Sequence, residues 1–195
     1  MKRTILLFGL TVLSFSLFAQ DIKLPAPQKT GGKPLMEALS LRQSTREFSD
    51  KELSQQTLSN LLWAAYGFNR PDKRVVPSAN NRQGFDVYVV LEKGVYLYDA
   101  KANQLILKAK GDHRACAGKQ GFVATAPLNL IYVANSKETA RVDCGFISQD
   151  VYLFCASEDL GTVVRGSFDQ DELHQLLNLS ENAEVILTQT VGYKK

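Results

Sequence analysis

Apolar and polar positions recur along this chain in patterns that each propose a different element. Leu58, Leu61, Leu62 and Ala65 fall at i, i+3, i+4 and i+7, one face of a helix. Ser54 stands where an N-cap hydroxyl belongs, and Gly67 ends the pattern. Pro34 opens a shorter helix over Leu35 to Leu41. Strand-like pieces follow at Phe85 to Leu91, Val95 to Asp99 and Gln104 to Lys108. Glu92-Lys93-Gly94 and Ala100 to Asn103 form the turns, so the stretch predicts an antiparallel meander. The run Leu128 to Val133 after Pro127 predicts a buried strand. Residues 68–84 read as loop and 112–124 as a weak helix. Residues 142–159 are apolar all round (Val142, Phe146, Ile147, Val151, Phe154), which predicts a central helix buried on most sides. Gly161 to Arg165 reads as a short strand. Asp169 and Glu172 form a capping pattern ahead of Leu173, Leu176 and Leu177, and Glu184 to Val191 reads as a last strand. Helices and strands mix without βαβ alternation, so the fold class is α+β.

The first residues carry a different signal. Lys2 and Arg3 precede the apolar run Ile5 to Leu13, and Ala19-Gln20 offers a small residue near a cut. That is the layout of a secretory signal over residues 1–20, with a run shorter than the roughly 20 apolar residues of a membrane-spanning helix. Residues 21–33, with Pro25, Pro27, Gly31 and Gly32, read as a flexible tether, and 34–195 as one domain. The expected location is therefore exported, in the periplasm.

Composition narrows the classes. The chain has 195 residues, 45% hydrophobic, with 23 Lys+Arg against 20 Asp+Glu. Disorder does not suit that apolar content, and nucleic-acid binding does not suit so small a basic excess. Removing residues 1–20 takes Lys2 and Arg3 and no acid, which leaves the mature chain almost neutral. Three cysteines are too few for a disulfide scaffold. Cys144 and Cys155 lie on one predicted helix, about 16 Å apart, beyond disulfide reach. They read as buried small hydrophobes.

Several chemistries find no support. There is no glycine-rich dinucleotide fingerprint, no P-loop and no Gly-x-Ser-x-Gly elbow. His113 and His174 have no metal-ligand spacing, and no metal is expected. A polar segment remains: Arg42, Ser44 and Arg46 alternate just after the first helix. An extended chain puts such residues on one side, where two guanidinium groups and a hydroxyl suit a phosphate.

Longer motifs give this segment a context. Arg42-x-Ser44-x-Arg46-x-Phe48, then Leu61-Leu62-Trp63-Ala64-Ala65-x-Gly67 and Pro77-Ser78-Ala79, resemble the start of the nitroreductase-like flavoproteins. Asp86-Val87-Tyr88-Val89-Val90 and Gly94-Val95-Tyr96-x-Tyr98-Asp99 look like the branch of the SagB and thiazoline-oxidase dehydrogenases. Asp143-x-Gly145-x-x-Ser148-Gln149-Asp150-x-Tyr152-Leu153 resembles the family's central helix. Gly161-Thr162-Val163-Val164-Arg165-Gly166-x-Phe168-Asp169 and Val191-Gly192-Tyr193 complete the order, from about Leu35 to Tyr193.

The resemblance implies an α+β homodimer with FMN at the subunit interface, transferring hydride or electrons through flavin N5 to or from a small organic substrate. It assigns the flavin phosphate, ribityl chain and pyrimidine edge to Arg42, Gln43, Ser44 and Arg46. The ring is lined by Pro77, Ser78 and Ala79 of the partner subunit, with Asn81 nearby. Val164, Arg165 and Gly166 cross its other side, and Lys194 and Lys195 reach the phosphate. Arg46 is the candidate to raise the flavin potential near N1. No catalytic acid, base or nucleophile is required, because the cofactor carries the redox chemistry. Export implies a donor other than the cytoplasmic nicotinamides: a membrane quinol, an exported redox partner or the substrate itself. A flavin-sequestering or cofactor-free protein on the same fold is the alternative. Three departures from the family pattern stand out. Asp150 replaces the usual Asn, Thr190 stands where a Pro often precedes Val-Gly-Tyr, and Lys195 ends the sequence where many relatives extend an arm.

Overall fold

The computed structural model of the protein describes residues 20–135 and 138–195. The expected signal, residues 1–20, lies outside the described residues except for Gln20. In chain order the elements are β1 (Ile22–Lys23), α1 (Leu35–Leu41), α2 (Gln55–Tyr66), β2 (Phe68–Arg70), β3 (Lys73–Arg74), β4 (Phe85–Leu91), β5 (Gly94–Asp99), β6 (Gln104–Lys110), β7 (Leu128–Ala134), α3 (Ala140–Ser157), β8 (Leu160–Arg165), α4 (Gln170–Leu177) and β9 (Glu184–Tyr193). Seven strands form one sheet in the order β1-β6-β5-β4-β7-β9-β8, with every pairing antiparallel. This is the expected α+β class.

β7 lies inside the sheet between β4 and β9, and all seven of its residues are buried. Alternation along it serves two cores. Leu128, Leu130 and Tyr132 face α2 and α3, where Leu61, Leu62, Ile147, Val151 and Cys155 pack. Ile131 and Val133 face the opposite side, where Ala117, Val123 and Leu173 close a smaller core. The helices start where their caps are. Ser54 Oγ accepts from the Thr57 N–H at 3.0 Å, and the Asp169 carboxylate accepts from the Glu172 N–H at 3.0 Å.

Four expectations change. Residues 21–33 are not a free tether. β1 adds to the open edge of β6, Leu24 is buried, and Pro25 O accepts from Ser59 Oγ at 2.6 Å and Asn103 Nδ2 at 2.7 Å. Few apolar residues were needed, because the edge of β6 supplies the pairing. Residues 112–124 hold no α-helix. They make single 3₁₀ turns at Arg114–Ala117 and Gly121–Val123, divided by an extended Gly118. The loop 68–84 contains the β2–β3 ribbon, stiffened by Arg74. Its guanidinium lies 4.1 Å from the centroids of both Tyr66 and Phe68 and donates to Tyr66 O at 2.7 Å. α3, expected to be buried on most sides, leaves its apolar Val142 and Phe146 exposed. Leu35, Met36, Leu39 and Leu41 of α1 are exposed as well.

All three cysteines are free, Cys144 and Cys155 buried on α3 as expected. Burial pushes the Cys144 thiol up to about 12 and Cys155 higher still. Cys116 is half-buried and donates to Glu172 Oε1 at 3.0 Å, and burial with that acid raises it to about 11.

Deleting residues 20–33 removes β1 and the burial of Leu24, a loss of about 2 kcal/mol for one large side chain. The expected outcome is a lower urea midpoint at a nearly unchanged slope. A free tether would leave the midpoint where it was.

Candidate functional site

β8 is the outer strand of the sheet, and an uncovered edge would leave its peptide groups to water or to another chain. Residues 42–49 meet this edge at Thr162 and then pass to the end of β9. α1 ends at Arg42, whose N–H still donates to Ala38 O at 3.0 Å before the backbone turns extended. The Thr45 N–H then donates to Thr162 O at 2.9 Å, Phe48 pairs with Lys194 as an antiparallel bridge, and the Ser49 N–H donates to Tyr193 O at 2.9 Å. Missing side chains permit this approach. A Cβ on Gly161 would lie 3.0 Å from Thr45 Cγ2 and 3.3 Å from the Phe48 ring, and one on Gly192 would lie 3.2 Å from that ring.

Tyr152 of α3 ties this segment to the strand. Its hydroxyl lies 2.9 Å from Ser44 Oγ and accepts from the Val164 N–H at 3.0 Å. The Arg42 guanidinium sits 5.2 Å from the centroid of the same ring. Gln43, Tyr152, Thr162 and Lys194 line one shallow groove here. The structure therefore brings together Arg42, Gln43, Ser44, Val164 and Lys194 of the sequence-predicted residues. Arg46 is exposed farther along the same segment, and Lys195 is exposed beside Lys194. Gly166 is exposed just after β8, where Ser167 O accepts from the Lys119 N–H at 3.0 Å. None of Arg42, Arg46, Lys194 and Lys195 forms an ion pair among the described residues. Four cationic side chains outside any ion pair thus lie along one edge of the sheet, with the Asp159 carboxylate feeling the charge of Lys194.

Arg165 belongs to the same stretch only by its backbone. Strand alternation turns its side chain away from the Tyr152 side and into the smaller core, where it is 8% exposed. Nη2 donates to Asn129 Oδ1 at 2.8 Å and Ala117 O at 3.2 Å, while Nη1 donates to Thr190 Oγ1 and to Val163 O at 3.4 Å. The Arg165 side chain is accordingly not free to grip a ligand from the surface.

Pro77, Ser78, Ala79 and Asn81 lie elsewhere. Ser78 Oγ accepts from the Gln83 N–H at 3.0 Å, and Asn81 Nδ2 donates to Asp72 O at 3.3 Å. Asn80, Asn81 and Gln83 hold positive φ of 52°, 55° and 51°. Arg82 pairs with Glu138 just ahead of the first residue of α3. Tyr152 stands thirteen residues beyond the helix N-cap, about 20 Å along the axis. The two groups of predicted residues therefore sit toward opposite ends of α3, and a single protomer does not join them.

A separate cleft of about 490 Å³ opens between residues 28–33 and the three helices α1, α2 and α3. Trp63, Leu153 and Phe154 form its apolar walls, and Asp150 reaches into it. Burial raises the Asp150 carboxyl to about 6. Reading the sequence missed the roles of Tyr152 and Thr190: a tyrosine in an apolar helix and a threonine in a strand both look like packing.

Comparison with known proteins gives these motifs a setting. A model of the nitroreductase family matches residues 39–193. A candidate nitroreductase of Methanocaldococcus jannaschii is 34% identical, over 82% of this chain and 91% of its own. The crystal structure of a candidate nitroreductase from Ralstonia eutropha superposes with a TM-score of 0.85 at 40% identity, covering 92% of this chain and 91% of that one. An FMN-dependent nitroreductase of Clostridium difficile shares the fold at 16% identity, with a TM-score of 0.62 over 82% of this chain and 87% of that one.

Two substitutions probe this geometry. Tyr152→Phe removes the hydroxyl between Ser44 and Val164, and a loss of about 1 kcal/mol is expected, with faster amide exchange at Thr45 and Val164. Asp150→Asn removes a carboxyl whose folded pKa lies above its unfolded value. The native acid stabilises the fold below about pH 4 and loses that contribution as pH rises through 6. The variant should therefore gain about 1 kcal/mol at pH 8, after allowance for solvent screening, and nothing at pH 4. Urea midpoints at the two pH values check this.

Proposed function

Because the chain belongs to the nitroreductase family of oxidoreductases, we propose that it is an exported FMN-dependent member of it, acting as a homodimer on a small organic substrate. The observation that carries this reading is the edge of β8. Arg42, Arg46, Lys194 and Lys195 lie along that edge, none of them in an ion pair among the described residues, next to Ser44 and to main chain held by Tyr152. Such a donor set fits a phosphate that is nearly dianionic and a ring system that gains negative charge on reduction.

When bound, FMN supplies two-electron chemistry, so the protein's task is placement. Arg42 and Ser44 would hold the phosphate, with Lys194 and Lys195 beside it. Gln43 and Arg46 would serve the ribityl chain and the pyrimidine edge. Val164 and Gly166 would lie against the ring, with the Val164 N–H held by Tyr152. The partner's copy of residues 77–81 closes the other side. Two features support a two-chain site: the halves lie at opposite ends of α3, and α1 and α3 expose Leu35, Met36, Leu39, Val142 and Phe146. The Gly94–Asp99 motif supports a place in the SagB and thiazoline-oxidase branch. The leader-like residues 1–20 support export, and with it a quinol, an exported redox partner or the substrate as donor.

Absorbance of the purified mature protein tests the cofactor. Flavin bands that bleach with dithionite are expected, and a colourless protein that ignores added FMN would sink the reading. Arg42→Ala combined with Ser44→Ala should weaken FMN retention about 100-fold, from the loss of charge-assisted bonds worth about 3 kcal/mol together, with the circular dichroism spectrum preserved.

A further inference from the structure

Among the described residues, Arg165 is a buried cation with no acid paired to it. Its partners are a side-chain amide, a hydroxyl, two main-chain carbonyls and the face of the Phe122 ring at 5.8 Å, all without formal charge. Burial lowers the guanidinium to about 10, so it remains a cation at neutral pH. Removing a charge from water costs several kcal/mol unless something of opposite sign answers it.

One donor is also unmatched. Arg165 Nε has no partner, and neither has the nearby Gln120 Oε1. Both crowd the bare Cα of Gly118, where a Cβ would lie 2.5 Å from Nε and 3.1 Å from Oε1. Gly118 thus keeps the space that lets the guanidinium lie flat, and its neighbour Lys119 ties the same loop to Ser167 O, one residue past Gly166. The charge is consequently held behind the short stretch Val164–Gly166, out of contact with solvent, where its field is less screened than at the surface.

We propose that Arg165 is a positioning residue that clamps the 114–117 turn behind Val164–Gly166, and that its charge, paired with no acid, would stabilise the negative charge that a flavin bound along that stretch acquires on reduction. This rests on the reading that FMN lies along Val164–Gly166. Uptake of two electrons from the donor and one proton adds one negative charge to the ring system. A fixed cation behind the ring favours that state and raises the potential. The effect is separate from any direct contact by Arg46, since the Arg165 side chain faces the other core.

Gln120→Glu is the decisive variant. It supplies the missing counter-charge beside Nε by changing one amide to a carboxylate, and it breaks no recorded hydrogen bond. In flavin-free protein it should raise the unfolding temperature, because a buried charge becomes paired. In FMN-loaded protein, equilibrated with dithionite and a redox dye, it should lower the ratio of reduced to oxidised flavin about tenfold at a fixed potential, or about 30 mV for a two-electron couple. Arg165→Met should give the same shift, and Arg165→Lys should stay within about twofold of the parent. Should Arg165→Met not fold, Gln120→Glu still decides. An unchanged unfolding temperature in Gln120→Glu would show that the charge was already answered, and an unchanged potential would show that the flavin does not feel it. Either result overturns the proposal. Failure of the parent protein to retain FMN would overturn the functional reading itself, and is seen before any variant is made.

Discussion

The outer edge of β8 is the strip of main chain on which the rest of this site depends. A free strand edge offers unpaired peptide groups, and here Thr45 takes the Thr162 carbonyl, Tyr152 takes the Val164 N–H, and residues 48–49 run on to pair with the end of β9. Residues 42–49 can do so only because Gly161 and Gly192 present no side chains. The approach is partly backbone to backbone, through the Thr45 and Ser49 N–H groups, and partly through side chains, since Ser44 and Arg42 both meet Tyr152. Arg46 is left exposed to solvent. Tyr152 makes the arrangement rigid, since one hydroxyl reads both the covering segment and the covered strand.

Periodic elements were legible in the sequence because their periods set the faces that pack. α2, the β4–β6 meander, β7 and the Asp169-capped α4 all follow from spacing and caps. Elements made by long-range pairing were not legible. β1 is two residues long and exists because β6 has an open edge. The turns at 114–117 and 121–123 carry too little apolar pattern to announce themselves. At the candidate site, motif order located the segments but not the direction of each side chain. Arg165 illustrates the point: its neighbours in sequence lie on the Tyr152 side, while strand parity sends its guanidinium through to the opposite core.

One departure from the family pattern has a physical counterpart in the buried Arg165. Thr190 stands where a proline is common, opposite both Val163 and Asn129 in the sheet. A proline there would lack the hydroxyl that contacts Arg165 and Asn129, and would remove an N–H in the interior of the sheet. Buried guanidinium and threonine therefore require each other. Asp150 departs independently, on the far side of α3, and answers to the cleft beside Trp63.

The cysteines add a consequence of a different kind. Cys144 and Cys155 are sealed inside α3's packing, and the thiol of Cys116 is engaged by Glu172. Their raised pKa values leave hardly any thiolate at neutral pH, and thiolate is the form that oxidants and disulfide exchange attack. The folded chain is in this sense indifferent to its redox surroundings. It needs no oxidative maturation to become stable and has no exposed thiol to be trapped in a wrong bond, so electrons that pass through the protein have no sulfur on which to stray.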